Sequence, residues 1–295
     1  MNQHIGRFAH FAAIDWSGAV GAEQRGIAVS LCSAGHAAPV LIAPPSRHWS
    51  REAVLAWIAD EAPADTLIGF DLGPALPFVD CGAYFAGWSE SPADARALWA
   101  MVEAICTADP HLSVTRFVDH PQASRYFRRH GGRTGSDFGS GRGRLRVTEQ
   151  VQREQGLNPY SNFNLVGAAQ VGKSSLSGMR LFHRLGSRIP IWPFDPLPAQ
   201  GSAIVEIYTS LAAIAAGRPA SRSKMRTHDA LNIALAAPAV DSAPVPGAGP
   251  IDDHKSDALL TAAWLRRHAD CDALWHPNAL SPKIARTEGW TFGVS

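Results

Sequence analysis

The sequence contains little lysine, few cysteines and no long hydrophobic run. Only four of its 27 basic residues are lysine, at positions 173, 224, 255 and 283, and the other 23 are arginine. The four cysteines lie far apart and form no Cys-x-x-Cys pair, so we expect reduced and mostly buried thiols. The formal net charge is only +1, so no global field points to nucleic acid or to a membrane surface.

The chain also lacks the signals of a membrane or secreted protein. No stretch of about 18 apolar residues is present, so the sequence predicts no membrane span. The N-terminal apolar run is too short for a signal peptide, and we therefore expect a cytoplasmic location. With 295 residues, of which 46% are hydrophobic, the chain can bury a large core without disulfide bonds or structural metal ions. We expect a single domain over residues 1–295, with an Arg/Gly-rich insertion at about 110–165.

The order of the apolar segments predicts an α/β fold. Residues 8–16, 25–32 and 39–43 have the pattern of strands, and Gly-rich connections favour an antiparallel meander. A helix over 50–59 precedes a strand over 66–70, and such a crossover favours parallel pairing. Further elements are expected as helices at 92–107, 224–236 and 253–268 and as strands at 189–192, 202–208 and near 288–294. This order is typical of a ribonuclease H-like mixed sheet, with three antiparallel strands and then parallel strands, flanked by helices.

Four acidic residues stand in strongly apolar surroundings. Asp15, Asp71 and Glu206 lie at or near the ends of predicted strands, and Asp257 opens an apolar helix-like run. An ionised carboxylate is costly in such a place unless it is paired or binds a cation. The ribonuclease H-like order brings the acids of the first strand, the fourth strand and the last helix together. We therefore expect one shared site for Mg²⁺ or Mn²⁺.

The predicted site has the composition of a two-metal phosphodiesterase. Two divalent ions about 3.5–4 Å apart can bind the attacking and the leaving oxygen of a phosphodiester. In this interpretation Asp15 bridges the ions, Asp71 and Asp257 hold one each, and Glu206 completes a shell or orients water. For Asp15 or Asp71 taken alone, a cap on the following turn is an equally good interpretation.

The start of the last long helix offers further polar groups. Asp253 and Asp257 are four residues apart and share a helical face, which His254 can also share. His254 would orient water or a phosphate, or carry a proton. A solvent-facing first-turn histidine, and helix capping by Asp252 and Asp253, are the alternative interpretations.

Residues 116–153 form a basic, glycine-rich segment. Nine arginines stand there against three acids, and flexible glycines between them would let the arginines follow a phosphate backbone. The aromatic residues Tyr126, Phe127 and Phe138 could stack on unpaired bases. A solvated surface loop is the alternative. The residues expected to contact nucleic acid are Arg125, Arg128, Arg129, Arg133, Arg142, Arg144 and Arg146.

A separate phosphate-binding pattern lies at residues 167–174. The sequence Gly-Ala-Ala-Gln-Val-Gly-Lys-Ser fits G-x-x-x-x-G-K-[ST]. However, residues 162–166 make a poor preceding strand, and the interior of the motif favours a helix over an amide cradle. We therefore expect Lys173 to open a helix that runs to Leu185, and to point at the phosphate of the active site. Nucleotide binding by this motif is the alternative.

Five short motifs resemble those of a known family. They are Ala13-Ile-Asp15-Trp-Ser-Gly18, Gly69-Phe-Asp71-Leu-Gly73, Glu206-Ile-Tyr208, Asp253-His254-Lys-Ser-Asp257-Ala-Leu-Leu260 and Glu288-Gly-Trp290. In their order they resemble domain of unknown function 429, a family described as a predicted nuclease with a ribonuclease H-like fold. The spacing His254-x-x-Asp257 is also similar to the last-helix motif of RuvC-type resolvases. The resemblance implies this fold with a metal site, and it leaves residues 110–165 unmatched.

Three functions are compatible with these patterns. The first is a metal-dependent nuclease or phosphodiesterase with a nucleic acid partner. The second is an ATP-dependent phosphotransferase, because sugar and acetate kinases share the core and residues 15–18 could begin a phosphate-binding hairpin. The third is a non-catalytic nucleic-acid-binding protein. DNA, RNA and a small phosphate ester all fit the predicted site.

Overall fold

One mixed sheet organises the part of the chain that the computed structural model describes, residues 6–166, 171–219 and 224–295. Its strands are β1 (His10–Asp15), β2 (Ala28–Ser33), β3 (Val40–Leu41), β4 (Thr66–Asp71), β5 (Ile191–Trp192) and β6 (Ala203–Glu206). The strand order is β3-β2-β1-β4-β6-β5. The first three strands pair antiparallel, while the pairs β1–β4, β4–β6 and β5–β6 are parallel. The predicted α/β fold with an antiparallel and a parallel half is confirmed.

Helices cover both faces of this sheet. Their bounds are α1 (Arg51–Ala56), continued by a π-helical turn (Trp57–Glu61), α2 (Ala95–Ile105), α3 (Thr115–Val118), α4 (Val147–Glu154), α5 (Val171–Leu185), α6 (Thr209–Ala215), α7 (His228–Leu235), α8 (Asp253–His268), α9 (Asp272–Trp275) and α10 (Pro282–Thr287). The side chains of α1, α2 and α5 pack on one face, and those of α6, α7 and α8 pack on the other.

The side-chain alternation of β1 explains why its residues 11–14 are all apolar. Ala12 and Ile14 point into the core beneath α2 and α5, whereas Phe11 and Ala13 point into the core beneath α8. A strand buried on both faces needs apolar residues at every position. By the same alternation, Asp15 at the end of β1 shares the α8 side with Phe11 and Ala13.

The helix α8 begins and ends where the sequence predicts. The Asp252 carboxylate caps it by accepting a hydrogen bond from the His254 amide at 3.0 Å, as one of the alternative interpretations expected. The helix then lies across β1 and β2, where the Ser30 hydroxyl donates to the Ala258 carbonyl at 2.6 Å. This packing carries Asp257 to the carboxyl end of β1.

Several boundaries differ from those predicted. The helix expected from residue 224 begins at His228, because the hydroxyl of Thr227 caps it by accepting from the Ala230 amide at 3.2 Å. The C-terminal tail forms only a single parallel bridge, between Thr291 and Glu206, instead of a strand. The expectation of mostly buried cysteines is half right, since Cys32 and Cys106 are buried while Cys81 and Cys271 are exposed, and all four are free.

Nothing in the described residues has the form of a transmembrane helix, since none of their helices is both long and apolar enough for a span.

Candidate active site

Asp15 and Asp71 lie side by side at the carboxyl ends of two neighbouring parallel strands. They are direct register partners in the β1–β4 pair, so their side chains leave the sheet on the same face. The face is the one covered by α8, which contributes the buried Asp257. We call Asp15, Asp71 and Asp257 the acid cluster. The structure thus brings together three of the four carboxylates that the sequence predicted to meet.

Burial and mutual repulsion make the acid cluster hard to ionise. Burial, followed by the charges of Asp15 and Asp257, raises the pKa of Asp71 to about 8. Burial also raises the pKa of Asp257 to about 6 and the pKa of Asp15, although nearby cations oppose both shifts. The Thr209 hydroxyl donates to Asp71 Oδ2 at 3.1 Å and partly compensates. Such a cluster attracts positive charge.

Two side chains of the protein supply that charge. His254 Nδ1 lies 3.1 Å from Asp15 Oδ2, and the hydrogen bond with this carboxylate raises the pKa of His254 to about 9. The half-exposed Lys224 ammonium donates to Asp257 Oδ2. Burial lowers the pKa of Lys224, but the charges of Asp257, Asp15 and Asp71 outweigh burial. The pKa of Lys224 is therefore raised above its ordinary value. Lys224 is therefore a counter-ion for the whole cluster.

Sequence reasoning missed Lys224. The residue stands before α7 in no recognisable motif, and its only signal is that lysine is scarce in this chain. Its role depends on a contact with Asp257, 33 positions further along the chain. His254, by contrast, was a candidate, because the sequence predicts that it shares a helical face with Asp257 and can therefore reach the cluster. The interpretation of His254 as a merely solvent-facing residue does not fit its contact with Asp15.

The donor set suits a hard divalent ion. Within the described residues, no group of three or more His, Cys, Asp and Glu side chains is already arranged to hold a metal. Two of the carboxylates are instead engaged with cations of the chain, Asp15 with His254 and Asp257 with Lys224. Mg²⁺ and Mn²⁺ favour a few carboxylate oxygens, and Mg²⁺ usually keeps several waters. The cluster thus offers the oxygen donors that either ion prefers, and a bound ion would take the place of Lys224 as counter-charge.

Glu206 does not join the acid cluster. In the β4–β6 pair it aligns with Phe70, one residue before Asp71, and a shift of one residue turns a side chain to the opposite face. Its two carboxylate oxygens accept from the Arg146 guanidinium at 2.6 and 2.8 Å, and Thr291 Oγ1 donates to it at 2.7 Å. This corrects the expectation that Glu206 would meet the other three carboxylates; it lines the same cavity as Asp71, and a role in orienting a ligand stays a prediction.

Arg146 is the centre of a buried ion-pair network and is not a nucleic acid contact. Its side chain is 1% exposed, and besides Glu206 it binds Glu149 Oε1 through Nε at 2.9 Å. Glu288 adds its backbone carbonyl, and its carboxylate accepts from the amides of Phe78, Val79 and Val147. The Glu288-Gly-Trp motif thus ties together three distant segments.

The remaining candidate arginines differ in what they contact. Arg144 is turned inward to Asp80 and backbone carbonyls, Arg125 pairs with Asp137 at 2.7 Å, and Arg129 pairs with Asp119 at 2.8 Å. No carboxylate of the described residues pairs with the exposed Arg128, Arg133 and Arg142.

The aromatic residues of the same segment belong to the core. Tyr126, Phe127 and Phe138 are each 3% exposed or less and pack against the α2–α5 layer. Their rings are therefore closed to bases, which corrects the expectation that they would stack on nucleic acid. Much of the predicted insertion is thus packed structure and not a freely solvated loop.

Asp253 and Lys173 lie near the cluster but outside it. Asp253 Oδ2 is 3.9 Å from an Arg226 nitrogen, and its charge acts on Asp15 from a distance. Lys173 stands in the first turn of α5, which runs from Val171 to Leu185 as expected. Residues 167–170 of the phosphate-binding pattern lie outside the described residues. Lys173 lines a cavity next to the one that contains Asp71.

A cavity of about 560 Å³ opens beside the acid cluster. Asp71, Thr209, Lys224 and His254 line its polar side. Trp16, Tyr160 and Tyr208 also line the cavity, and so do Arg146, Glu149 and Glu206 of a neighbouring ion-pair network. Pockets of about 300–1,000 Å³ accommodate small organic ligands, so this one can accept a nucleotide unit.

Comparison with known proteins adds no relative: no protein-family model, no curated protein and no solved structure matches the chain. The likeness to domain of unknown function 429 therefore depends on the short motifs alone.

Asp71→Asn is expected to stabilise the protein more at pH 8 than at pH 5. The folded chain holds the Asp71 proton up to a pKa of about 8, whereas the unfolded chain releases it near about 3.9. Wild-type stability therefore falls as the pH rises between these values, and asparagine removes that loss, a gain of roughly 1–3 kcal/mol at pH 8. Melting temperatures in metal-free buffer measure it. If the gain in melting temperature of Asp71→Asn over the wild type is equal or larger at pH 5, the assignment is wrong. Asp229→Asn, which changes an exposed acid, serves as control.

Glu206→Gln is expected to lower the free energy of unfolding by about 2–4 kcal/mol, because Arg146 keeps a buried charge with less compensation. Urea unfolding measures the loss, and Mn²⁺ affinity of the folded protein is expected to stay at the wild-type value. Unchanged stability together with weaker Mn²⁺ binding would instead make Glu206 a metal ligand.

Proposed function

We propose that the protein is a metal-dependent phosphodiesterase of ribonuclease H-like fold that hydrolyses nucleic acid. The observation that carries the proposal is the convergence of Asp15, Asp71 and Asp257 from two adjacent parallel strands and α8. The order of the sheet, three antiparallel strands followed by parallel ones, agrees with that fold. The motif resemblance to domain of unknown function 429 points in the same direction.

Mg²⁺ or Mn²⁺ held by the acid cluster would supply Lewis-acid stabilisation of the charge that develops on the phosphoryl oxygens. Asp15 and Asp71 are suited to hold it because adjacent strands fix their backbones. Thr209 orients Asp71 through its hydrogen bond. Asp257 contributes from the second turn of α8, where its side chain is buried.

His254 is placed to act as a general acid. The hydrogen bond with Asp15 raises the pKa of His254 and favours the imidazolium form. Because the side chain lines the cavity next to Asp71, that proton can be donated to the oxygen that leaves phosphorus. The exposed Tyr160 ring, which also lines the cavity, can pack against a base or sugar.

A phosphotransferase that uses ATP is the second candidate, and one observation favours it. The Gly-containing loop after β1 lies directly on the first turn of α5: a Cβ on Gly18 would stand 2.4 Å from the Ser174 nitrogen. A glycine loop and Lys173 therefore meet, as both parts of a phosphate-binding device would. Thermal stabilisation by ATP with Mg²⁺, together with release of ADP in the presence of an acceptor, tests this function. An unchanged melting temperature with every nucleotide excludes it.

The purified protein is expected to cut labelled DNA or RNA only when Mg²⁺ or Mn²⁺ is present. Asp15→Asn should lower the rate by about a hundredfold or more, because one preorganised charge at the reacting group is lost. Gel assays over a time course measure the rate, and Asp229→Asn, which changes an exposed acid on α7, should keep it.

Two results would contradict the proposal. One is cleavage that resists EDTA, and the other is an Asp15→Asn variant with wild-type rate. Binding with a steep salt dependence but without turnover in any metal favours a non-catalytic nucleic-acid-binding protein instead.

A further inference from the structure

A second cavity, of about 520 Å³, lies on the far side of the loop that follows β1. Gly18 and Ala19 line both this cavity and the one beside the acid cluster, so the loop is their common wall. We call it the basic cavity. The positively charged side chains and histidines that line it are Arg51, His111, Arg129, His130, Arg133 and Lys173.

A buried guanidinium holds the common wall in place. Arg51 is 2% exposed and donates to the carbonyls of Ser17 at 2.9 and 3.1 Å, Ala19 at 2.6 Å and His111 at 2.8 Å. No carboxylate of the described residues forms an ion pair with it. Its charge is therefore solvated by carbonyl dipoles alone and adds positive potential to the wall.

The other charges of the basic cavity leave an excess of cations. Its two carboxylates are already paired, Asp109 with Arg116 at 3.3 Å and Asp119 with Arg129 at 2.8 Å. Lys173 has no ion-pair partner in the described part of the chain, and the Arg133 side chain donates only to the His130 carbonyl, at 3.2 Å. Two exposed or half-buried cations thus stand free for an anion.

The position of Lys173 adds to this preference. The residue belongs to the first turn of the 15-residue helix α5, where the helix dipole and the amide groups favour negative charge. Beside the cations, the cavity has an apolar wall of Val114, Val118 and Leu165. Positive groups next to an apolar wall suit an organic phosphate better than a bare inorganic anion.

We propose that the basic cavity binds the phosphate of a nucleotide next to the hydrolysed bond, with Lys173 and Arg133 as its contacts. The substrate strand then crosses the Gly18–Ala19 loop from the acid cluster into the basic cavity. The identity of this substrate rests on the proposed function, whereas phosphate binding by Lys173 and Arg133 can be measured without any hydrolysis.

Binding of a fluorescein-labelled single strand of about twelve nucleotides tests the proposal. Fluorescence anisotropy measures binding at several salt concentrations, and EDTA in the buffer prevents metal-dependent hydrolysis. Lys173→Gln and Arg133→Gln are each expected to raise Kd about tenfold and to reduce the salt slope by about 0.7, the value for one phosphate contact on a single strand. Arg267→Gln removes an exposed charge of α8 outside both cavities and should change neither quantity.

The outcomes separate this inference from the proposed function. If both variants keep the wild-type Kd and salt slope, the proposed phosphate binding in the basic cavity is wrong, even when the protein cuts nucleic acid with Mn²⁺. Weakened binding in both variants, at an unchanged melting temperature, supports the cavity even when no metal produces cleavage. If AMP displaces the labelled strand and this competition is lost in Lys173→Gln, the cavity binds the phosphate of a free nucleotide. If only the unlabelled strand competes, the cavity binds a phosphate of a polynucleotide.

Discussion

The burial of neighbouring carboxylates, together with their mutual repulsion, is the constraint around which this site is built. Burial, and then the charges of its register partner Asp15 and of the α8 residue Asp257, raise the pKa of Asp71. Each unit of pKa shift corresponds to about 1.4 kcal/mol, so the cluster keeps a considerable unfavourable energy in the folded chain. Lys224 and His254 relieve part of it from the open side. A cation that enters would relieve more, which is why the cluster is suited to ligand binding.

A second set of buried charges shows the opposite design. Around Arg146 stand Glu149 and Glu206, and every close contact is a hydrogen bond within the chain. Buried ions of this kind need complete partners, since removing one leaves a charge without compensation. The network therefore joins α4, β6 and the C-terminal tail, and its charges are compensated within the chain. The acid cluster also sets carboxylates beside cations, but its compensation by Lys224 is incomplete and open to solvent.

The loop of residues 17–19 connects the chemistry to the basic cavity. It continues directly from Asp15, Arg51 anchors it through backbone carbonyls, and Gly18 lies against the start of α5. Because the loop forms a wall of two cavities, a change in its position would affect both. Its short length and anchored backbone make it a fixed partition between the two cavities.

Local patterns were sufficient for the strands β1 and β4, for the bounds of α8 and for the meeting of Asp15, Asp71 and Asp257, because apolar runs, caps and element order are properties of the chain itself. They failed for Glu206, whose face depends on a one-residue register between β4 and β6. They failed likewise for Arg146, which only the folded chain surrounds with acids, and for Lys224, whose contact with Asp257 spans 33 positions. Sequence alone determined which carboxylates stand at strand and helix ends, whereas tertiary structure decided which charges are neutralised, since Coulomb energy depends on distance in space and not on separation along the chain.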